Sequence, residues 1–197
     1  MPAPHLADLG EPTRLVPLTV WAIPTPAPAG VLPPAAAARA IATFSQPGDL
    51  VLTHGGPGTL ADAANYLHRR HRTHDPADPD TPRGHGRTAG LVIDHPTPTQ
   101  PTVLLARFAH HVARLRPGGF LLTVHSPAAG PHDPLAAAIL AAQAAGLRYL
   151  QHLIVLAVPI TGGRLAPPPA PRGHSGRLLV PAHLDVAVFT TPGGSHA

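Results

Sequence analysis

Two short stretches of this chain carry residues that could do chemistry. In QPGDLVLTHGGPGTLADAANYL (Gln46 to Leu67), an apolar run leads through Thr53 and His54 into Gly55, Gly56, Pro57 and Gly58, and then into an alanine-rich segment opening at Thr59. A glycine turn between a strand and a helix offers backbone N–H groups to an anion or a cofactor. The same turn also serves as a plain tight connection that merely needs glycine. In the second stretch, LVIDHPTP (Leu91 to Pro98), Asp94, His95 and Pro96 follow an apolar run. Asp94 and His95 form a potential acid–base pair. The alternative is a loop residue beside a solvent-facing imidazole, since the chain has 15 histidines.

Two further clusters have weaker local logic. His54, His95 and His125 all fall at the carboxyl ends of expected strands, an arrangement open to a three-histidine metal site. Their spacing forms no metal motif, and the expectation is that no metal is bound. HRRHRTH (His68 to His74) is the densest basic stretch and could touch phosphates nonspecifically. Cations at a helix carboxyl end are the preferred explanation, since the stretch contains no aromatic ring on which a base could stack.

The elements positioning these residues follow from the apolar spacing. Pro34 to Phe44 suits a helix, with proline in its first turn. Asp49 to Thr53 and Gly90 to Asp94 are apolar without alternation, as buried parallel strands are. Thr59 to Arg70 is a helix with Leu60, Ala63, Ala64 and Leu67 on one face. Val103 to Leu115 is another, with Leu104, Leu105, Phe108, Val112 and Leu115 recurring. Arg116-Pro117-Gly118-Gly119 stops it before a strand from Phe120 to His125. Asp133-Pro134 caps a helix that ends at Ala145 before Gly146. Tyr149 to Val158 and Leu184 to Thr190 are the remaining strands. Residues 71–88 read as a loop, with no strand-like run between Arg70 and Gly90, and residues 161–180 as an irregular connection. Strand–helix alternation predicts a mainly parallel sheet covered on both faces, with ligands beyond the strand carboxyl ends.

At 197 residues the chain suits one domain. There is no cysteine, which excludes disulfides, thiolate zinc sites and a cysteine nucleophile. All 14 cations are arginine, and the bias toward Ala, Pro, Gly and Arg is that of GC-rich coding. A net charge of +4 therefore permits weak nucleic-acid contact without demanding it. The start MPAPHLADLGEPTR has no signal-peptide pattern, and no window approaches the roughly 18 apolar residues of a membrane span. The expectation is a cytoplasmic protein.

Pro33 to Thr59 resembles the opening segment of S-adenosylmethionine-dependent DNA amino-methyltransferases, the enzymes that modify adenine or cytosine amino groups. Pro47, Gly48, Asp49, Leu50, Val51, Leu52, Gly56, Gly58 and Thr59 match that family's strand and loop. LVIDHPTP falls where the family has its catalytic segment. ARLRPGGFLLTV (Ala113 to Val124), AAGLRYLQHLIVL (Ala144 to Leu156) and PAHLDVAVFTTP (Pro181 to Pro192) resemble later core segments in the same order.

The resemblance implies a three-layer, Rossmann-like methyltransferase sheet, mainly parallel with an antiparallel final strand and truncated at one edge. It divides the chain into a proline-rich arm (1–30), a methyltransferase-like domain (31–192) and a tail (193–197). It assigns S-adenosylmethionine to Thr53, His54, Gly55, Gly56, Gly58 and Thr59, and the catalytic position to Asp94, His95 and Pro96. Trp21 lies in an arm that the family folds near its cofactor, and packing on the sheet is the expected role.

The departures fall on the chemistry. Thr53 stands where the family has an acidic residue, the acidic anchor for the ribose is missing, and no aromatic ring follows Asp94 to stack on a flipped base. The expected function is thus a catalytically degenerate DNA methyltransferase-like protein. The alternative is a noncatalytic scaffold that acts with a protein partner or nonspecifically on nucleic acid.

Overall fold

The alternation of apolar strand runs with alanine-rich helices is realised as one central sheet covered on both faces. The computed structural model describes residues 17–23, 31–73, 87–97, 100–127, 133–156, 158–166 and 182–193. Its main sheet is built from β1 (Leu18–Ala22), β2 (Leu50–His54), β3 (Arg70–Thr73), β4 (Ala89–Asp94), β5 (Leu115–His125), β6 (Arg148–Leu156) and β9 (His183–Thr190). β7 (Ile160–Thr161) and β8 (Arg164–Leu165) form a separate hairpin. The helices are α1 (Pro34–Phe44), α2 (Thr59–Tyr66), α3 (Pro101–Arg114) and α4 (Pro134–Ala144).

The strand order is β1-β6-β9-β5-β4-β2-β3. β9 runs antiparallel to both β5 and β6, and the other pairings are parallel. This is the mainly parallel, Rossmann-like sheet with an antiparallel final strand that the sequence predicts.

Two apolar layers hold the sheet. On one face Ile41, Val51, Leu60, Ala64, Leu91, Ile93, Leu122 and Leu153 are buried with α1 and α2. On the other, Val92, Leu104, Phe108, Leu121, Ala138, Ala142 and Phe189 are buried with α3 and α4. The Asp133 cap forms as its sequence predicts, with Oδ1 accepting from the Leu135 and Ala136 amides at 2.9 and 3.3 Å. Trp21 is buried in the first layer, with the Arg39 guanidinium 4.6 Å from its ring centroid.

Three features differ from the sequence expectation. First, Leu18–Ala22 of the proline-rich arm is a sheet strand, pairing in parallel with β6 from Leu18↔His152 to Ala22↔Leu156. Second, Arg70–Thr73 forms β3, where no strand was expected, and pairs with β2. On that side this single short strand ends the described sheet, and residues 74–86 of the expected loop lie outside the described residues. Third, β5 begins at Leu115 rather than at Phe120, because Leu115 pairs with Ala89 before a register shift.

The connection expected at 161–180 opens with the β7–β8 hairpin, and residues 167–181 lie outside the described residues. Among the described residues no helix is long and apolar enough to cross a membrane.

Candidate functional site

β2 and β4 are neighbours in the sheet, so the two chemistry-bearing stretches end side by side. Thr53 pairs with Ile93 and His54 with Asp94, and the His95 amide donates to the His54 carbonyl at 3.0 Å. After β2 the chain turns through Gly55 (φ 69°) and Gly56 (φ 85°), and α2 starts at Thr59 with Gly58 as its N-cap. Left-handed φ at two successive positions explains the Gly55-Gly56 pair.

Gly56 has a second reason to lack a side chain. A Cβ there would stand 2.6 Å from His95 Nδ1 and 3.1 Å from Leu60 Cδ1. The His95 ring therefore lies directly against the turn. Both of its nitrogens are buried with no hydrogen-bond partner among the described residues, as is the Thr59 hydroxyl. Burial pushes the His95 imidazole below its usual range, against the pull of the Asp94 charge.

The turn fits a cofactor of the expected kind in two respects. The position of a Cβ on Gly58 is open, while His95 covers Gly55 and Gly56, and the orphaned Thr59 hydroxyl stands at the positive end of α2. Thr53 contributes differently from a cofactor carboxylate: it is buried, and its hydroxyl shares a 3.0 Å hydrogen bond with His71 Nε2 on β3.

Asp94 is fully buried. His111 Nε2 donates to its Oδ2 at 2.9 Å, and Arg107 binds both oxygens, with Nε at 2.7 Å from Oδ2 and Nη2 on Oδ1. Burial alone would push this carboxyl up. The hydrogen bonds and charges of His111 and Arg107 outweigh it and hold the carboxyl at about 2. Neither Arg107 nor His111 stood out in the sequence. The available signal was Asp94 itself, because a carboxylate ending an apolar strand must find buried donors.

Pro96 follows His95, partly buried, and Pro98 lies outside the described residues. His54 and His125 end β2 and β5 and His95 follows β4 directly, but the metal-capable group that the described residues bring together is His54, Asp94 and His111, without His95 or His125.

The basic stretch after α2 is largely committed to structure. Arg69 donates to the Ser45 hydroxyl and carbonyl at 3.1 and 2.9 Å, and Arg70 to the Gly48 carbonyl at 3.1 Å. Asp49, matched in the resemblance, accepts from the Gln46 amide and from Arg116 Nη2, each at 2.8 Å.

His125 is buried at the end of β5 and shares a 2.9 Å hydrogen bond with the Thr123 hydroxyl. Burial pushes its imidazole down to about 4 from an ordinary 6.5. The folded chain then holds His125 neutral at pH values where the unfolded chain binds a proton. Its contribution to stability is complete above pH 6.5 and is lost as the pH falls toward 4. Urea denaturation at pH 7 and pH 5 should show lower stability at pH 5, with the difference reduced in His125→Gln. An unchanged difference in the variant would remove His125 as its source.

No protein-family model matches the chain. No curated protein matches it either. Solved structures do. An S-adenosylmethionine-dependent methyltransferase from Archaeoglobus fulgidus is 11% identical over 80% of this chain and 92% of its own, with a TM-score of 0.54. A geranyl diphosphate methyltransferase in complex with S-adenosylmethionine is 14% identical over 80% of this chain and 84% of its own, with a TM-score of 0.51. The seven-stranded sheet, with β9 inserted antiparallel between β5 and β6, has the fold of the S-adenosylmethionine-dependent methyltransferases.

Proposed function

We propose that this chain binds S-adenosylmethionine in the turn from Thr53 to Thr59, and that base-amine methylation, the reaction its sequence resembles, has decayed in it. The observation carrying the first half is the left-handed Gly55-Gly56 turn opening α2 beside an unpartnered Thr59 hydroxyl. The second half rests on Asp94. A target amino group needs an accessible acceptor, whereas both Asp94 oxygens are occupied by Arg107 and His111 and the residue is fully buried.

When bound, the cofactor supplies an electrophilic methyl group, so the protein's part is mainly alignment. In this reading an acceptor would approach past His95 and Pro96, which follow Asp94 beside the turn. The absence of an acidic residue at Thr53 predicts weak binding, since a hydrogen bond to a charged group contributes about 1.5–3 kcal/mol.

The scaffold reading has one observation of its own. On β1, Leu18 is 60% and Val20 is 54% exposed, an apolar pair on the last strand of the described sheet. A protein partner would cover it, and a net charge of +4 leaves nonspecific contact with DNA open. A cytoplasmic location accompanies both readings.

Calorimetric titration with S-adenosylmethionine and S-adenosylhomocysteine tests the main reading. One-to-one binding is expected, and Thr53→Asp should tighten it by roughly tenfold or more. Absence of heat at millimolar ligand for both proteins would overturn cofactor binding. Methyl transfer from labelled cofactor to duplex DNA is expected to be absent, and turnover would overturn the decay.

A further inference from the structure

The junction of β2, β4 and α3 gathers three metal-capable side chains. His54 ends β2, Asp94 ends β4, and His111 comes from the last turn of α3. One ligand atom from each lies within 4.8 Å of the others. His111 Nε2 is 2.9 Å from Asp94 Oδ2, and His54 Nδ1 is 3.9 Å from Oδ1. Two imidazoles and a carboxylate form a donor set that suits zinc and its neighbours in the first transition row.

Such an ion stands about 2.0–2.2 Å from each nitrogen or oxygen, which places tetrahedral ligand atoms roughly 3.3–3.6 Å apart. Asp94 and His111 already come near that spacing, and the His54 ring needs a shift on the order of an ångström to bring atoms now within 4.8 Å of one another to it. The side chains of Asp94 and His111 are fully buried, while that of His54 is 16% exposed. An ion held there would have two rigid ligands from the core and one from the site's mouth. A fourth position would remain for water or a substrate oxygen.

Arg107 is the competitor. Its guanidinium occupies both Asp94 oxygens, and a fixed positive charge repels a divalent ion. Its side chain is 17% exposed, so it has a route to solvent that fully buried His111 lacks. Arg107 and His111 sit one turn apart on α3.

We propose that His54, Asp94 and His111 form a site for one divalent transition-metal ion of the zinc type, with Arg107 as the internal cation that holds Asp94 until the ion displaces it. The site shares His54 with the turn proposed to hold the cofactor, but metal binding is measured without the cofactor, so either reading can fail without the other.

The test uses the full chain with the metal alone, by calorimetry with Zn²⁺ and visible absorption with Co²⁺. One tight site per chain is expected, with Co²⁺ bands of four- or five-coordinate geometry. His54→Gln, which leaves the Asp94–Arg107–His111 contacts in place, should weaken that site at least tenfold. This variant decides the matter, because a chain with 15 histidines can bind metal elsewhere. Arg107→Met should tighten the site, and Zn²⁺ should raise its melting temperature more than that of the parent protein. Lack of saturable binding to the parent protein, or equal affinity in His54→Gln, would overturn the proposal. Unchanged affinity in Arg107→Met would overturn the role of Arg107.

Discussion

Asp94→Ala is expected to lower the stability of the folded chain by about 3–5 kcal/mol, the usual cost of removing one partner from a buried ion pair. The carboxylate is the shared acceptor of two donors from α3, so its loss strands Arg107 and His111 together at the junction of α3 with β4. Urea denaturation at pH 7 measures the effect. Arg107→Met tests the same contact from the other side, and the double variant should lose less than the sum of the two, because each single change already breaks the pair. A loss under about 1 kcal/mol for Asp94→Ala would mean that the pair is not formed in solution.

The pH dependence has a definite sign. The Asp94 carboxyl is held at about 2 in the folded chain, below its ordinary 3.8. Its contribution is therefore complete above pH 3.8 and disappears as the pH falls through about 2, well below the window in which His125 acts.

The buried parallel strands were legible because Leu50 to Leu52 and Leu91 to Ile93 are apolar without alternation, which only a two-sided cover explains. The helices were legible from their caps and spacing, although α2 stops at Tyr66 rather than Arg70 and α3 exposes one residue expected on its apolar face. Its buried positions are Leu104, Phe108 and His111, whereas Leu105 is 39% exposed. A histidine in an apolar stripe does not register as apolar, so His111 went unread.

β3 and β1 were hidden for different physical reasons. Arg70 to Thr73 is polar throughout, and its strand character comes from backbone pairing with β2 at the sheet's border, where side-chain pattern counts for little. Leu18 to Ala22 lies among prolines and takes its partner from β6, more than a hundred residues away, a pairing that no local signal encodes. β3 also changes the reading of Thr53. Its hydroxyl is held by His71, a residue the sequence had placed in a loop. The strand ends at Thr73, two residues before Asp75, which lies outside the described residues.

Gly56→Ala should be the most informative change at the glycine turn, with an expected cost of roughly 2–5 kcal/mol. About 1–2 kcal/mol comes from placing an L side chain at a left-handed φ, which is 85° here. A further 1–3 kcal/mol comes from overpacking, because the new methyl would stand 2.6 Å from His95 Nδ1. The two parts separate in the double variant with His95→Ala. Removing the ring should return the overpacking part and leave the backbone part, so the coupling should be favourable and about 1 kcal/mol or more. If the two changes simply add, His95 does not lie against the turn. The same variants bear on the ligand. A displaced His95 ring or a distorted turn should abolish the calorimetric signal with S-adenosylmethionine, whereas His95→Ala alone leaves the Gly55-Gly56 backbone and the Thr59 hydroxyl in place. Retained binding in His95→Ala with loss in Gly56→Ala would assign the cofactor to the backbone of the turn. Loss in both would make the unpartnered imidazole part of the ligand's own surroundings.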